Sequence, residues 1–164
     1  MKPTYWPDAT RTLSCSDPTL KKLIRAYEGE TLTSRGDAFY TLARSIAGQQ
    51  ISVKAADSIW RRMEEGLGNI NPKAFLTAEN DALRALGLSQ QKVNYLKNIS
   101  GHFDANPKRV KEWPQLDDET LIAELTALKG VGRWTAEMML IFHYQRSDIF
   151  PIADLGLLKA IYRH

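Results

Sequence analysis

Between Leu128 and Asp154 the sequence LKGVGRWTAEMMLIFHYQRSDIFPIAD brings together three groups able to do chemistry. Gly130 and Gly132 stand just before the start of a helical pattern. A helix start points unpaired backbone N–H groups outward and gathers partial positive charge. Such a start can seat a phosphate without any side chain. Lys129 and Arg133 would add full charge there, and Thr135 a hydroxyl. Trp134, next in the helix, offers an electron-rich ring face that attracts an aromatic cation by ~0.5–2 kcal/mol, depending on desolvation. Twenty residues later comes Asp154, introduced by Phe150 and Pro151. A carboxylate held by backbone N–H groups stays ionised at neutral pH and can stabilise positive charge developing beside it. Each group also has a plainer reading: a glycine-turned pair of helices, a core tryptophan, and an N-cap for the last helix.

The elements that would carry these groups are helical almost throughout. Asp17-Pro18 predicts a capped helix with Leu20, Leu23, Ile24 and Tyr27 on one face. Phe39, Leu42, Ala43 and Ile46 repeat the spacing in the next helix. Ser52 is placed to cap a third, striped by Val53, Ala56, Ile59, Trp60 and Met63. Asn71-Pro72 and Ser89 start further segments, the latter carrying Val93, Leu96 and Ile99. Pro114 leads into a helix with Leu121, Ile122, Leu125 and Leu128. No stretch alternates apolar and polar residues with period two, so the chain reads as all-α. The region from Gly101 to Pro114 reads as a loop and as the best internal boundary, too short to link independent domains. The final LGLLKAIYRH is amphipathic and has no Gly or Pro to close it after the first turn, so it either frays or continues into further sequence.

Composition narrows the function only broadly. The chain has 164 residues, 43% hydrophobic and 25% charged, values of an ordinary globular protein. A formal net charge of +3 tolerates a polyanion without demanding one. The one cysteine, Cys15, excludes an internal disulfide, a multi-cysteine zinc site and a four-cysteine iron–sulfur cluster. No apolar run approaches the ~18 residues of a membrane span, and MKPTYWPDATRTL has no signal-peptide core. We therefore expect an intracellular protein, in the cytoplasm or a bacterial nucleoid, with no membrane partner. His102, His143 and His164 show no metal-ligand spacing; His143 reads as a helix-end residue, and Glu124 and Glu137 as solvated faces.

LKGVGRWTA resembles the helix-hairpin-helix of the DNA glycosylase superfamily. FPIADLGLLKA is similar to that superfamily's aspartate segment, and SIAGQQISVKAA, residues 45–56, to the segment by which its alkylation-repair branch enters DNA. The resemblance runs from about residue 5 to the end and is strongest to the DNA-3-methyladenine glycosylase II branch. It implies one domain over 1–164, a two-lobed helical bundle with the helix-hairpin-helix at about 118–143. The family's final helices after the aspartate are short or absent here. Double-stranded DNA with alkylated bases is the implied partner, and a monomer the implied state.

The resemblance also assigns roles. Members that nick the strand carry a lysine where this chain has Trp134, and that lysine forms a Schiff base with the sugar. Indole cannot, which implies a monofunctional enzyme that uses water and leaves an abasic site. Asp154 is the implied catalytic group. An alkylated purine is already a cationic leaving group, so a single carboxylate suffices where ordinary glycosidases need a pair. Trp134, Met138 and Leu155 would contact the base, with Met138 equally suited to core packing. The target must be flipped from the stack at a cost of a few kcal/mol; Gln50 would fill the gap, supported by Gln49. Ser52, Lys129, Gly130, Val131, Gly132, Arg133 and Thr135 would contact the DNA backbone. No cofactor is implied beyond a Na+ or K+ ion on the backbone carbonyls of Leu128 and Val131. Two alternatives stay open: a hairpin module that binds DNA without chemistry, and excision of deaminated or oxidised bases.

Overall fold

The computed structural model describes residues 2–34 and 37–163, so His164 lies outside the described residues. It is all-α: the described residues form eleven α-helices and one 3-10 turn, with no strand. None of these helices is long and apolar enough to cross a membrane. Helices α1 (Trp6–Ser16) and α2 (Pro18–Ala26) pair at the N-terminus. The body is built from α3 (Ala38–Gly48), α4 (Val53–Leu67), α5 (Pro72–Thr77), α6 (Asn80–Ala85), α7 (Gln90–Ala105), α8 (Pro107–Glu112), α9 (Asp118–Thr126) and α10 (Arg133–Phe142). Helix α11 (Leu155–Arg163) ends the described chain.

Most of these helices start where a side chain can satisfy their first N–H groups. Asp17 accepts from the amides of Thr19 and Leu20, Asp37 from Tyr40, Ser52 from Ala55, Asn71 from Ala74, Ser89 from Lys92 and Asp117 from Thr120. A short polar acceptor at this position replaces water for orphan donors, worth typically ~1 kcal/mol each. The core then forms from one face of each body helix. Leu42 and Ile46 of α3, Trp60 and Met63 of α4, Phe75 of α5, Leu96 and Ile99 of α7, Leu125 of α9 and Leu140 of α10 are wholly buried. Phe39 stands edge-on to both Phe75 and Phe103, and Phe103 edge-on to Trp113, with ring centres 5.3–5.6 Å apart.

Two sequence expectations need correction, and one apolar stripe turns out to be open. The region from Gly101 to Pro114 is not a loop: α7 runs through Gly101 to Ala105, and α8 and a 3-10 turn at Trp113–Gln115 follow. Buried Trp113 packs against Phe103 and ties that region to the core. The apolar stripe Leu20, Leu23 and Ile24 of α2, continued by Tyr27 at its C-cap, lies on one face as expected, and Leu20, Leu23 and Tyr27 are exposed. Periodicity identifies an apolar face but not whether another surface covers it. Finally, Glu124 and Glu137 are not solvated faces. Glu124 binds Arg109 and accepts the Trp113 indole N–H at 2.7 Å, and Glu137 is only 6% exposed.

This difference in burial sets an expected outcome. Leu42→Ala, in the core, should cost about 2–5 kcal/mol in equilibrium urea unfolding. Leu23→Ala on α2 should change stability by less than about 1 kcal/mol; equal losses would show that the N-terminal stripe is packed after all.

Candidate active site

The hairpin between α9 and α10 turns on two glycines that do different work. Leu128 and Val131 point into the core, and the Val131 N–H donates to the Leu128 carbonyl at 3.1 Å. Gly130 has φ of +91°, the left-handed region that side chains rarely adopt, and a Cβ there would run into the ring of Tyr95. Gly132 has an ordinary φ of −90° and open space where its Cβ would be. As N-cap of α10 it supplies no side chain, so the first-turn N–H groups lack the side-chain acceptor that α3, α4, α7 and α9 have. An uncapped helix start with an unobstructed approach is what an anion needs.

The side chains expected to help this seat are largely engaged elsewhere. Arg133 bonds Glu119 at 2.7 Å and Glu137 at 3.0 Å, and these carboxylates raise its pKa and offset its charge. Thr135 is 3% exposed and its hydroxyl accepts from Gln49 Nε2 at 3.3 Å. It therefore holds the fold together rather than facing solvent. Val131 can offer only its backbone, since its side chain is core. Lys129 is exposed, and its backbone N–H donates to Asn98 Oδ1 at 3.2 Å.

At the C-terminal end of α3 the two glutamines part. Gln49 turns inward, donating through Nε2 to the Gly130 carbonyl at 3.0 Å as well as to Thr135. Gln50 is exposed and has φ of +60°. A non-glycine residue in that region costs roughly 1–2 kcal/mol, so the surroundings must impose it. Lys92 is part of them: its ammonium donates to the carbonyls of Ala47 and Gln49, both at 2.8 Å, and burial lowers its pKa. Ser52 caps α4 and is exposed one turn beyond Gln49.

Asp154 and Trp134, distant in sequence, are joined directly. The Trp134 indole N–H donates to Asp154 Oδ2 at 2.8 Å, and the Leu157 amide donates to Oδ1 at 2.8 Å. The Leu157 amide and then the indole hold the carboxyl below its usual pKa, because both bonds favour the ionised form. Asp154 thus both starts α11 and presents an anion. Trp134 is 42% exposed, so it is no core tryptophan. Met138, one turn on, is half-buried, and Leu155 is 69% exposed. Phe150 and Ile152 are exposed as well, leaving Asp154 flanked by open apolar surface. A groove of about 710 Å³ near Trp6 and Leu23 includes neither Trp134 nor Asp154. His143 ends α10, with Nδ1 3.3 Å from the hydroxyls of Ser34 and Thr41; burial lowers its pKa and keeps it neutral at pH 7.

Lys92, Tyr95 and Asn98 were missed from sequence. Their spacing along the helix opened by Ser89 was available, but their partners lie about 30 to 45 residues away.

The sequence and the overall fold are similar to those of known proteins. A family model described as HhH-GPD superfamily base excision DNA repair protein matches residues 43–164. The chain belongs to that superfamily. Among the curated relatives, DNA-3-methyladenine glycosylase 1 of Schizosaccharomyces pombe is 34% identical over 142 residues, 84% of this chain and 62% of the relative. A putative DNA-3-methyladenine glycosylase of Bacillus subtilis is 28% identical over 157 residues, 91% of this chain and 55% of the relative. The solved structure of Schizosaccharomyces pombe 3-methyladenine DNA glycosylase in complex with abasic DNA superposes with a TM-score of 0.79 at 30% identity. That match covers 95% of this chain and 81% of the solved one. The chain spans about half to three-fifths of the length of these curated relatives.

Trp134→Phe keeps a ring and removes one donor to Asp154. Because those donors lower the folded pKa, the stability they give is complete above the usual carboxylate range and lost as pH falls through the folded value. Carboxyl-detected NMR titration should show the Asp154 pKa rising in the variant; an unchanged value would mean that the indole bond contributes nothing.

Proposed function

We propose that this chain carries the site of a monofunctional DNA glycosylase that hydrolyses the N-glycosidic bond of alkylated purines and leaves an abasic site. The observation that carries this reading is the Trp134–Asp154 pair: an ionised carboxylate, fixed through both oxygens, beside a half-exposed indole. In this reading the uncapped start of α10 binds a phosphate next to the damaged nucleotide, with Lys129 adding charge. The flipped base lies against the faces of Trp134, Met138 and Leu155. A base made cationic by alkylation suits an indole face, and it leaves without a general acid. Asp154 stabilises the positive sugar and orients water toward it.

The strained backbone at Gln50 supports its role as the wedge that fills the vacated stack. A backbone outlier on an exposed turn favours a functional reading, and a glutamine can hydrogen-bond the partner base left behind. The resemblance adds a Na+ or K+ ion at the hairpin. In this reading the Leu128 carbonyl, with one lone pair taken by Val131, offers its second to such an ion, alongside the Val131 carbonyl. With no lysine at position 134, no amine stands ready there to form a Schiff base.

The decisive experiment is release of free bases from methylated duplex DNA. The wild type should release alkylated purines and Asp154→Asn should be slower by about two to three orders of magnitude. No release by wild type refutes the reading; undiminished release by Asp154→Asn removes Asp154 from its role. Borohydride should trap no protein–DNA adduct, and an adduct would overturn the water mechanism. The glycines should separate too. Gly132→Ala should leave stability nearly unchanged but weaken duplex binding, whereas Gly130→Ala should destabilise the fold by roughly 2–3 kcal/mol from positive φ and collision with Tyr95.

A further inference from the structure

Lys92, Tyr95 and Asn98 stand at i, i+3 and i+6 on α7, one stripe along a single face. Each touches a segment that the proposed function uses. Lys92 Nζ donates to Ala47 O and Gln49 O at the end of α3. The ring of Tyr95 lies against the α carbon of Gly130, and Asn98 Oδ1 accepts the Lys129 N–H. Gln49 Nε2 closes the loop on the Gly130 carbonyl. We propose that this stripe is a positioning element, a ruler that holds the Gln50 turn and the hairpin at one fixed separation, so that wedge and phosphate seat reach DNA in register. The assignment rests on the proposed glycosylase reading.

The physical link to Gln50 is short. The carbonyl oxygen of Gln49 and the amide nitrogen of Gln50 belong to one planar peptide unit. Pinning that oxygen with an ammonium fixes the plane from which the φ of Gln50 is set. A cation on the last carbonyls of α3 also suits the negative end of the helix. At the other end of the stripe, Tyr95 and Asn98 fix the glycine and the lysine that precede α10. Lys92, Tyr95 and Asn98 touch no substrate in this scheme. They are positioning residues, and their effect must pass through Gln50 and the hairpin.

Hydrogen exchange tests the ruler without relying on activity. Lys92→Met should speed exchange at residues 49–51 and also at 129–133, and Asn98→Ala at both segments, with the amides of α5 unchanged. A variant that loosens only its own contact, or the whole protein equally, would overturn the proposal. Single-turnover base release tests its consequence. Lys92→Met should slow the saturating rate about tenfold and change affinity for undamaged duplex less than about threefold, with Lys92→Arg recovering most of the rate. Lys92→Met combined with Gln50→Ala should lose less than the two single losses together, since part of the Lys92 effect passes through Gln50. Additive losses would overturn the proposal. A wild type that releases no base would instead refute the glycosylase reading and leave the exchange result to decide the ruler.

Discussion

Gly130 is where three parts of this molecule come as close as backbone and ring allow. The ring of Tyr95 occupies the space of a Cβ, the side-chain amide of Gln49 sits on its carbonyl, and its φ of +91° is closed to most residues. A side chain there would push α7 away from the hairpin. The Asn98 bond to the Lys129 amide and the Gln49 bond would then be strained together. The core beneath cannot absorb such a shift freely, because Leu96, Ile99, Leu125 and Leu140 are fully buried and closely packed. The relative placement of α3, α7 and α10 thus depends on one missing methyl group.

Charge is arranged with similar economy. A net charge of +3 gives no strong general attraction to a polyanion, and Arg133 is tied to Glu119 and Glu137. Glu137 is buried with one oxygen bonded to Arg133 and the other, Oε2, without a hydrogen-bond partner. Removing Arg133 would leave that carboxylate buried and uncompensated, which is costly. Its charge thus serves the packing of α9 against α10. Positive potential at the hairpin comes instead from the N–H groups of α10 and from Lys129. Local dipoles of this kind position a phosphate without reading sequence.

The helices outside the body present apolar stripes to solvent. Leu23 on α2, Tyr27 at its C-cap, and Leu155, Ile161 and Tyr162 on α11 are all at least half exposed. Asp154 lies at the start of α11, so its surroundings on that side are the least enclosed part of the candidate site.

Much of the fold was legible in the sequence because its signals are local. Caps at Asp17, Ser52, Asn71 and Ser89 and the apolar spacing of α3, α7 and α9 follow from backbone donors and a 3.6-residue period. The hairpin glycines, Trp134 and Asp154 were equally visible, since residue type alone limits what each can do. Sequence could not show that Trp134 donates to Asp154, that Thr135 and Glu137 are buried, that Arg133 is already paired, or that the α2 stripe stays exposed. Nor could it show Lys92 reaching the end of α3. These depend on which surfaces meet across tens of residues, and neither periodicity nor propensity encodes that. Sequence determined the helices and the chemistry available to each side chain; only the tertiary structure decided which of those groups remain open to a partner and which are consumed in holding the fold.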